Sequence, residues 1–305
     1  MILACGEALI DMLPRTSTLG EAAFAPHAGG AVFNTAVALG RLGADVGLFS
    51  GISTDMLGEM LIDSLKAAQV QTVHTARSPR PTTIALVKLV EGHATYAFYD
   101  ENTAGRLLTE ADMPPPQAAK AYFFGGISLM AEPCGTIYEA LQAREAAHAV
   151  TMIDPNIRPS FITDETAYRA RLDAMVARAD IVKVSDEDLR WIMGAGDIAD
   201  LAQALLAKGP ALVCVTEGSK GARGFGRTAT AHVSAARVEV VDTVGAGDTF
   251  NAGVLFALQQ ADLLHKDRLA SLSEAQIAAA LTMGNRTAAI TVSRAGANPP
   301  WSHEL

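Results

Sequence analysis

Short apolar runs rich in β-branched and aromatic residues recur along the chain, separated by stretches whose apolar positions follow helical spacing. The runs ILACG (2–6), DVGLFSGI (45–52), AYFFGG (121–126), VTMID (150–154), DIVKVS (180–185) and ALVCVT (211–216) predict strands. The stretches 57–68, 135–148, 165–178 and 197–207 predict helices. Strand–helix alternation of this kind implies an α/β fold, with a mostly parallel sheet covered by helices on both faces. Joints such as MPPPQ (113–117) read as loops, not linkers, so residues 1–305 read as a single domain. We find no internal repeat at solenoid periods.

One segment departs from the alternation. TTIALVKLV (82–90), Glu91-Gly92 and HATYAFY (93–99) predict a β-hairpin with no helix between its strands. An antiparallel flap set into a parallel sheet suits a lid, and it equally suits an edge hairpin without function.

Composition narrows the classes. At 305 residues with half of them apolar, the chain is long enough to bury a large core. No apolar run reaches the ~18 residues of a membrane span. The start, MILACGEALIDMLPR, lacks a basic region and is interrupted by Glu7 and Asp11, so it does not read as a signal peptide. Cys5, Cys134 and Cys214 are scattered with no CxxC pair, which favours reduced thiols in a cytoplasm. The net charge of −9 argues against nucleic acid as a partner. It also requires any anionic ligand to be held locally, by backbone N–H groups and a few basic side chains.

The stretch VEVVDTVGAGDTFNAGVLFALQQ (238–260) reads as strand, turn and helix, with helical spacing through Phe250, Val254, Leu255 and Leu258. Gly245, Ala246 and Gly247 then fall at a helix N-terminus, where unpaired N–H groups and the helix dipole make an anion site. Asp248 lies in that first turn. The same residues also suit a plain capped helix. No GxxxxGK[ST] occurs, and no GxGxxG follows the first strand, so P-loop and Rossmann readings lack their motifs.

DTVGAGDTF (242–250) and HAGGAVFNTAVALGRLGADVGLFSGISTDMLGE (27–59) together resemble the two signatures of the ribokinase-like carbohydrate kinases. GEALIDMLP, DENTAGRLL, DPNIRPSF, KVSDEDL, VTEGSKGARGF and SRAGANPP follow in the same order. Within that family GEALIDMLP, YDENTAGRLL and DPNIRPSF are most similar to fructokinases, and 2-keto-3-deoxygluconate kinases share similar elements. The resemblance implies a three-layer α/β/α domain with a small β-lid from residues 82–99 and part of 11–28. It implies transfer of the γ-phosphoryl group of ATP to a sugar hydroxyl, with Mg²⁺ accompanying the nucleotide and a monovalent cation such as K⁺ near the anion turn.

The resemblance also assigns roles. Asp248 matches the base that takes the sugar hydroxyl's proton, and Gly245, Ala246 and Gly247 match the anion hole. Asp11, Gly29, Gly30, Asn34, Phe98, Asn102 and Arg158 match sugar-binding positions, with Tyr99 beside Phe98 at the lid. An acid inside the apolar run ALIDM must be paired or face a cleft. Arg158 suits bidentate pairing with phosphate, or a surface salt bridge. Asn156, Ser185, Thr216, Gly218, Lys220, Gly221 and Asn285 match nucleotide-binding positions. Asp242 and Val244 match the monovalent-cation loop. Asp188 stands where relatives carry the Glu of an NxxE motif that organises Mg²⁺-bound water; it is shorter than Glu, and Glu187 faces another way. The implied partners are a sugar and ATP, with no nucleic acid and no membrane, and the apolar hairpin is compatible with a homodimer. Fructokinase is the leading expectation. A kinase for 2-keto-3-deoxygluconate or another sugar acid, which needs a cation such as Arg158 or Arg106, is the alternative; a non-catalytic sugar-binding regulator is a remote one.

Overall fold

Ile2 to Cys5 are all buried, because this first strand lies inside a sheet packed on both faces. The computed structural model describes residues 1–90 and 93–305. The chain forms β1 (Ile2–Cys5), β2 (Leu9–Thr16), β3 (Ala22–Gly29), α1 (Ala31–Arg41), β4 (Val46–Phe49), β5 (Gly51–Ser53) and α2 (Met56–Ala67). Then come β6 (Ala76–Ser78), β7 (Ile84–Val90), β8 (His93–Tyr99), β9 (Ala121–Gly125), α3 (Cys134–Glu145) and β10 (Val150–Asp154). α4 (Glu165–Arg178), β11 (Ile181–Ser185), α5 (Asp186–Met193), α6 (Ile198–Leu206) and β12 (Leu212–Thr216) follow. The last part holds β13 (Ala222–Gly226), β14 (Thr230–Val233), α7 (Ala246–Gln260), α8 (Lys266–Leu269) and α9 (Glu274–Val292).

The main sheet runs β14-β13-β12-β11-β10-β9-β1-β4. The pairs from β12 to β4 are parallel, and β13 and β14 extend the sheet antiparallel. Side-chain alternation divides each strand between two cores. Ile2, Ala4 and Ile181 pack with α1, α7 and α9, while Leu3, Cys5, Val182 and Val184 pack with α3 to α6. The expected three-layer α/β/α architecture is therefore present.

A second sheet, β3-β2-β7-β8, carries the expected hairpin as β7 and β8, paired antiparallel from Ile84↔Tyr99 to Val90↔His93. The expected turn at Glu91-Gly92 lies outside the described residues. Part of 11–28, expected to accompany the hairpin, pairs with it in this sheet through β2 and β3. Asp11 thus sits on a lid strand beside β7 and not at the end of the first core strand.

Two predicted strands differ. DVGLFSGI divides at Ser50 into β4 and β5, and β5 pairs with β6 in a separate ribbon. The expected strand at 238–242 is irregular. Val240 and Val241 are about 60% exposed, and the N–H groups of Val241 and Asp242 bond Val292 O at the end of α9. Its β-branched residues find no sheet edge, so propensity alone does not make a strand. Among the described residues, no helix is long and apolar enough to cross a membrane.

Candidate functional site

The parallel strands end on one side of the sheet, where open α/β sheets place their ligand sites. There a cleft of about 670 Å³ opens between the lid sheet and the N-terminus of α7. It is lined by Asp11 and Phe98 of the lid, Glu7, Gly30 and Asn34, Asn156 and Arg158, Lys183, and Val244 to Asp248.

Gly245 caps α7 with φ of 77°, a left-handed conformation that glycine adopts without strain. The Ala246 N–H bonds Thr243 O at 3.3 Å and closes the turn, so this amide is already engaged. Gly247 and Asp248 follow at positions whose N–H groups have no intrahelical acceptor. Of the expected anion hole, Gly247 thus keeps an amide to face a ligand, and Asp248, not part of that expectation, adds a second.

Asp248 is 7% exposed, and its Oδ2 accepts a hydrogen bond from Asn34 Nδ2 at 2.9 Å. Burial pushes its pKa to about 7; the Asp154 and Glu7 carboxylates push the same way, and Asn34 and Lys183 pull back. The helix start is clamped: Thr35 Oγ1 donates to Asp248 O at 3.1 Å and Thr287 Oγ1 to Thr249 O at 2.9 Å. Asn34 holds its aim because α1 itself is fixed by Glu7. Glu7 Oε1 accepts from Ala31 N at 2.9 Å, and Oε2 accepts from Ser128 N at 3.3 Å.

On the lid, burial raises the Asp11 carboxyl to about 6. A side chain at Gly29 on the paired strand would overlap Asp11 Oδ2, so glycine there leaves the carboxylate its room. Phe98 stacks edge-on against Phe161, with ring centroids 4.2 Å apart, and so ties the lid to the loop after β10. In that loop Asn156 takes φ of 44°, and its N–H bonds Asp154 Oδ1 at 3.2 Å. Arg158 is exposed at the cleft, held by Nη1 on Ile157 O at 3.0 Å.

The remaining expected residues do not line the cleft. Thr216, Gly218, Lys220, Gly221 and Asn285 belong to a second area around the end of β14. A side chain on Gly221 would overlap Val233 O, and Asn285 Nδ2 donates to Val233 O at 3.0 Å and Ser234 O at 3.3 Å. Both Asn285 amide hydrogens are thus engaged with backbone, leaving Oδ1 for a ligand. Asn102 is exposed on the turn after β8 and off the cleft.

Ser185 Oγ accepts from Asp188 N at 3.0 Å as the cap of α5, and Asp188 Oδ1 accepts from Ile157 N at 3.3 Å. Asp188 therefore braces the Asn156–Arg158 loop. Asp242 spans two loops, accepting from Val244 N at 3.0 Å and Gly296 N at 2.9 Å. Among the described residues, no group of three or more His, Cys, Asp or Glu side chains could hold a metal.

Glu7, Asp154, Lys183, Asn251 and Phe161 escaped the sequence reading. Asp154 Oδ2 accepts from Lys183 Nζ at 2.9 Å and from Asn251 Nδ2 at 2.7 Å, joining β10, β11 and α7. A lysine in the middle of the apolar run IVKVS was the available signal.

A mostly parallel α/β/α sheet, a β-lid and a carboxylate at a glycine-capped helix start define a carbohydrate kinase. The model of the pfkB family of carbohydrate kinases matches residues 1–304, and the chain belongs to that family. It is 56% identical over 275 residues to a fructokinase of Rhizobium leguminosarum bv. trifolii, covering 90% of this chain and 84% of that one. Its fold is similar to the crystal structure of Xylella fastidiosa fructokinase with bound ATP: TM-score 0.87, 30% identity, 97% of this chain and 93% of that one. It is also similar to a double mutant of Vibrio cholerae fructokinase solved with fructose, ADP and potassium: TM-score 0.84, 27% identity, 97% and 93% coverage.

Proposed function

We propose that this carbohydrate kinase is an ATP-dependent fructokinase that converts D-fructose to fructose 6-phosphate. The observation that carries the reading is Asp248, buried beside the free amides of the α7 start, across the cleft from the lid carboxylate of Asp11. In this reading Asp11 and Asn34 bind sugar hydroxyls, and Phe98 and Phe161 exclude water from them. Asp248 accepts the proton of the attacking hydroxyl, whose oxygen bonds to the γ-phosphorus as the bridging P–O bond to ADP breaks. The amides of Gly247 and Asp248 hold charge on the moving group, and Arg158 reaches the phosphate oxygens. Mg²⁺ bound with the nucleotide supplies charge neutralisation of the phosphates. The area around Thr216, Gly218, Lys220, Gly221 and Asn285 receives the nucleoside, and the Asp242–Val244 loop holds a monovalent cation.

Fructose is favoured by the identity to a fructokinase over most of both chains. The exposed Arg158 guanidinium in the cleft favours a second reading, a sugar-acid kinase, because a carboxylate substrate needs such a partner. ADP release measured over fructose, glucose, ribose and 2-keto-3-deoxygluconate separates the two. Fructose is expected to give the highest kcat/KM, and a preference for the sugar acid overturns the assignment. Three buried free cysteines support work in a reducing compartment such as the cytoplasm. Exposed Phe24 and Tyr99 on the lid sheet support a homodimer formed through the lid.

A further inference from the structure

We infer that Lys183 is a further catalytic group, a buried cation whose ammonium contacts the phosphoryl group in flight. The inference rests on the kinase reading above. Lys183 stands on β11 on the face directed at α7, with its side chain 6% exposed, yet it lines the cleft. Its Nζ lies 3.1 Å from the point a Cβ on Gly247 would occupy, directly behind the amide turn. A side chain at 247 would crowd the ammonium, and glycine there leaves it room beside the anion site.

An ammonium has three donors. Among the described residues, Asp154 Oδ2 is the one protein acceptor for Nζ, at 2.9 Å. The remaining donors have an anion in the cleft as their natural partner, since a buried donor left unpaired is costly. Asp154 is itself held by Asn251 of α7 and by the Asn156 N–H, so the ammonium is fixed relative to the helix start. In a chain of net charge −9, Lys183 and Arg158 are the lysine and arginine side chains that line this cleft. A fixed cation that is present before charge develops is the arrangement that stabilises a transition state at no reorganisation cost.

The alternative role for Lys183 is to neutralise Asp154, and a pair of substitutions separates the two. Lys183→Met leaves Asp154 buried and uncompensated, so this variant alone can fail to fold. Lys183→Met with Asp154→Asn removes both charges. The double variant is expected to melt within a few degrees of the parent, to keep its sugar KM within about threefold, and to lose about 10²-fold in kcat. Asp154→Asn alone, with the ammonium retained, is expected to lose far less. Parent-like kcat in the folded double variant overturns the inference and leaves Lys183 a structural counter-ion. A parent enzyme that releases no ADP with any sugar overturns the kinase reading instead.

Discussion

Asp248 combines two demands that oppose each other. A carboxylate 7% exposed is costly to ionise, and burial raises its pKa to about 7. A base at that value is matched to neutral pH, so kcat/KM, which reports the free enzyme, is expected to fall with an acid limb near pH 7 in a pH–rate profile. The same shift sets a stability trend. The folded state holds the proton at pH values where the unfolded chain has lost it, so stability is highest at low pH and declines as pH rises from about 4 to 7. Asp248→Asn, which removes the buried charge, is expected to stabilise the protein at pH 8 by up to about 4 kcal/mol, and by little at pH 4. Urea midpoints at the two pH values check this, and equal gains at both would contradict it. Asp11 makes a separate contribution. Asp11→Asn is expected to raise the KM for fructose about 10–100-fold while the KM for ATP holds, as loss of charged hydrogen bonds to the sugar predicts. An unchanged fructose KM removes Asp11 from the sugar site.

At the scale of elements, the site is made where α1, α7, β10 and β11 meet beneath the lid sheet. Phe98 on β8 and Phe161 in the loop after β10 meet edge-on at 4.2 Å, which holds the lid against the body. Phe161→Ala is expected to weaken sugar binding about 2–10-fold, the range of an aromatic pair, with a small change in melting temperature. Steady-state KM for fructose reads this directly, and an unchanged value shows that the lid closes without the pair. Asp248 could be singled out in the sequence because a glycine-rich turn and local spacing placed it at a helix start, whereas Asn34 was singled out through the resemblance alone. Asp154 and Lys183 were not, because pairing between neighbouring strands is a tertiary fact and a lone charge in a strand reads as an edge position. Ala246 shows the converse: the sequence placed its amide in the anion hole, but the turn that forms the hole uses that amide itself. The valines of 238–242 were misread because alternation measures fitness for a sheet and says nothing of whether an edge is available.

Across the whole molecule, fold class was legible because six parallel strands buried on both faces write continuous apolar runs into the sequence. β2 and β3 were harder to see, since Pro14, Arg15 and Pro26 interrupt their apolar pattern and their pairing with each other and with β7 is a tertiary fact. The architecture separates the main sheet and α7, which carry Asp248 and the helix-start amides, from the second sheet, which contributes Asp11 and Phe98. Ligands that bridge the two are expected to stabilise the folded chain. Each ligand at 100 times its Kd adds about 2.7 kcal/mol. Fructose with a nonhydrolysable ATP analogue is therefore expected to raise the melting temperature by several degrees more than glucose with the same analogue. Equal shifts with both sugars would contradict fructose as the preferred substrate.

The central claim is that the Asp248 carboxylate removes a proton from a sugar hydroxyl while the start of α7 holds the phosphoryl group. The direct measurement is kcat for Asp248→Asn against the parent, with fructose and ATP at pH 8 and sugar affinity determined by calorimetry on the same protein. A loss of about 10²–10⁴-fold in kcat with fructose still bound is the predicted result. Turnover within a few-fold of the parent would contradict it.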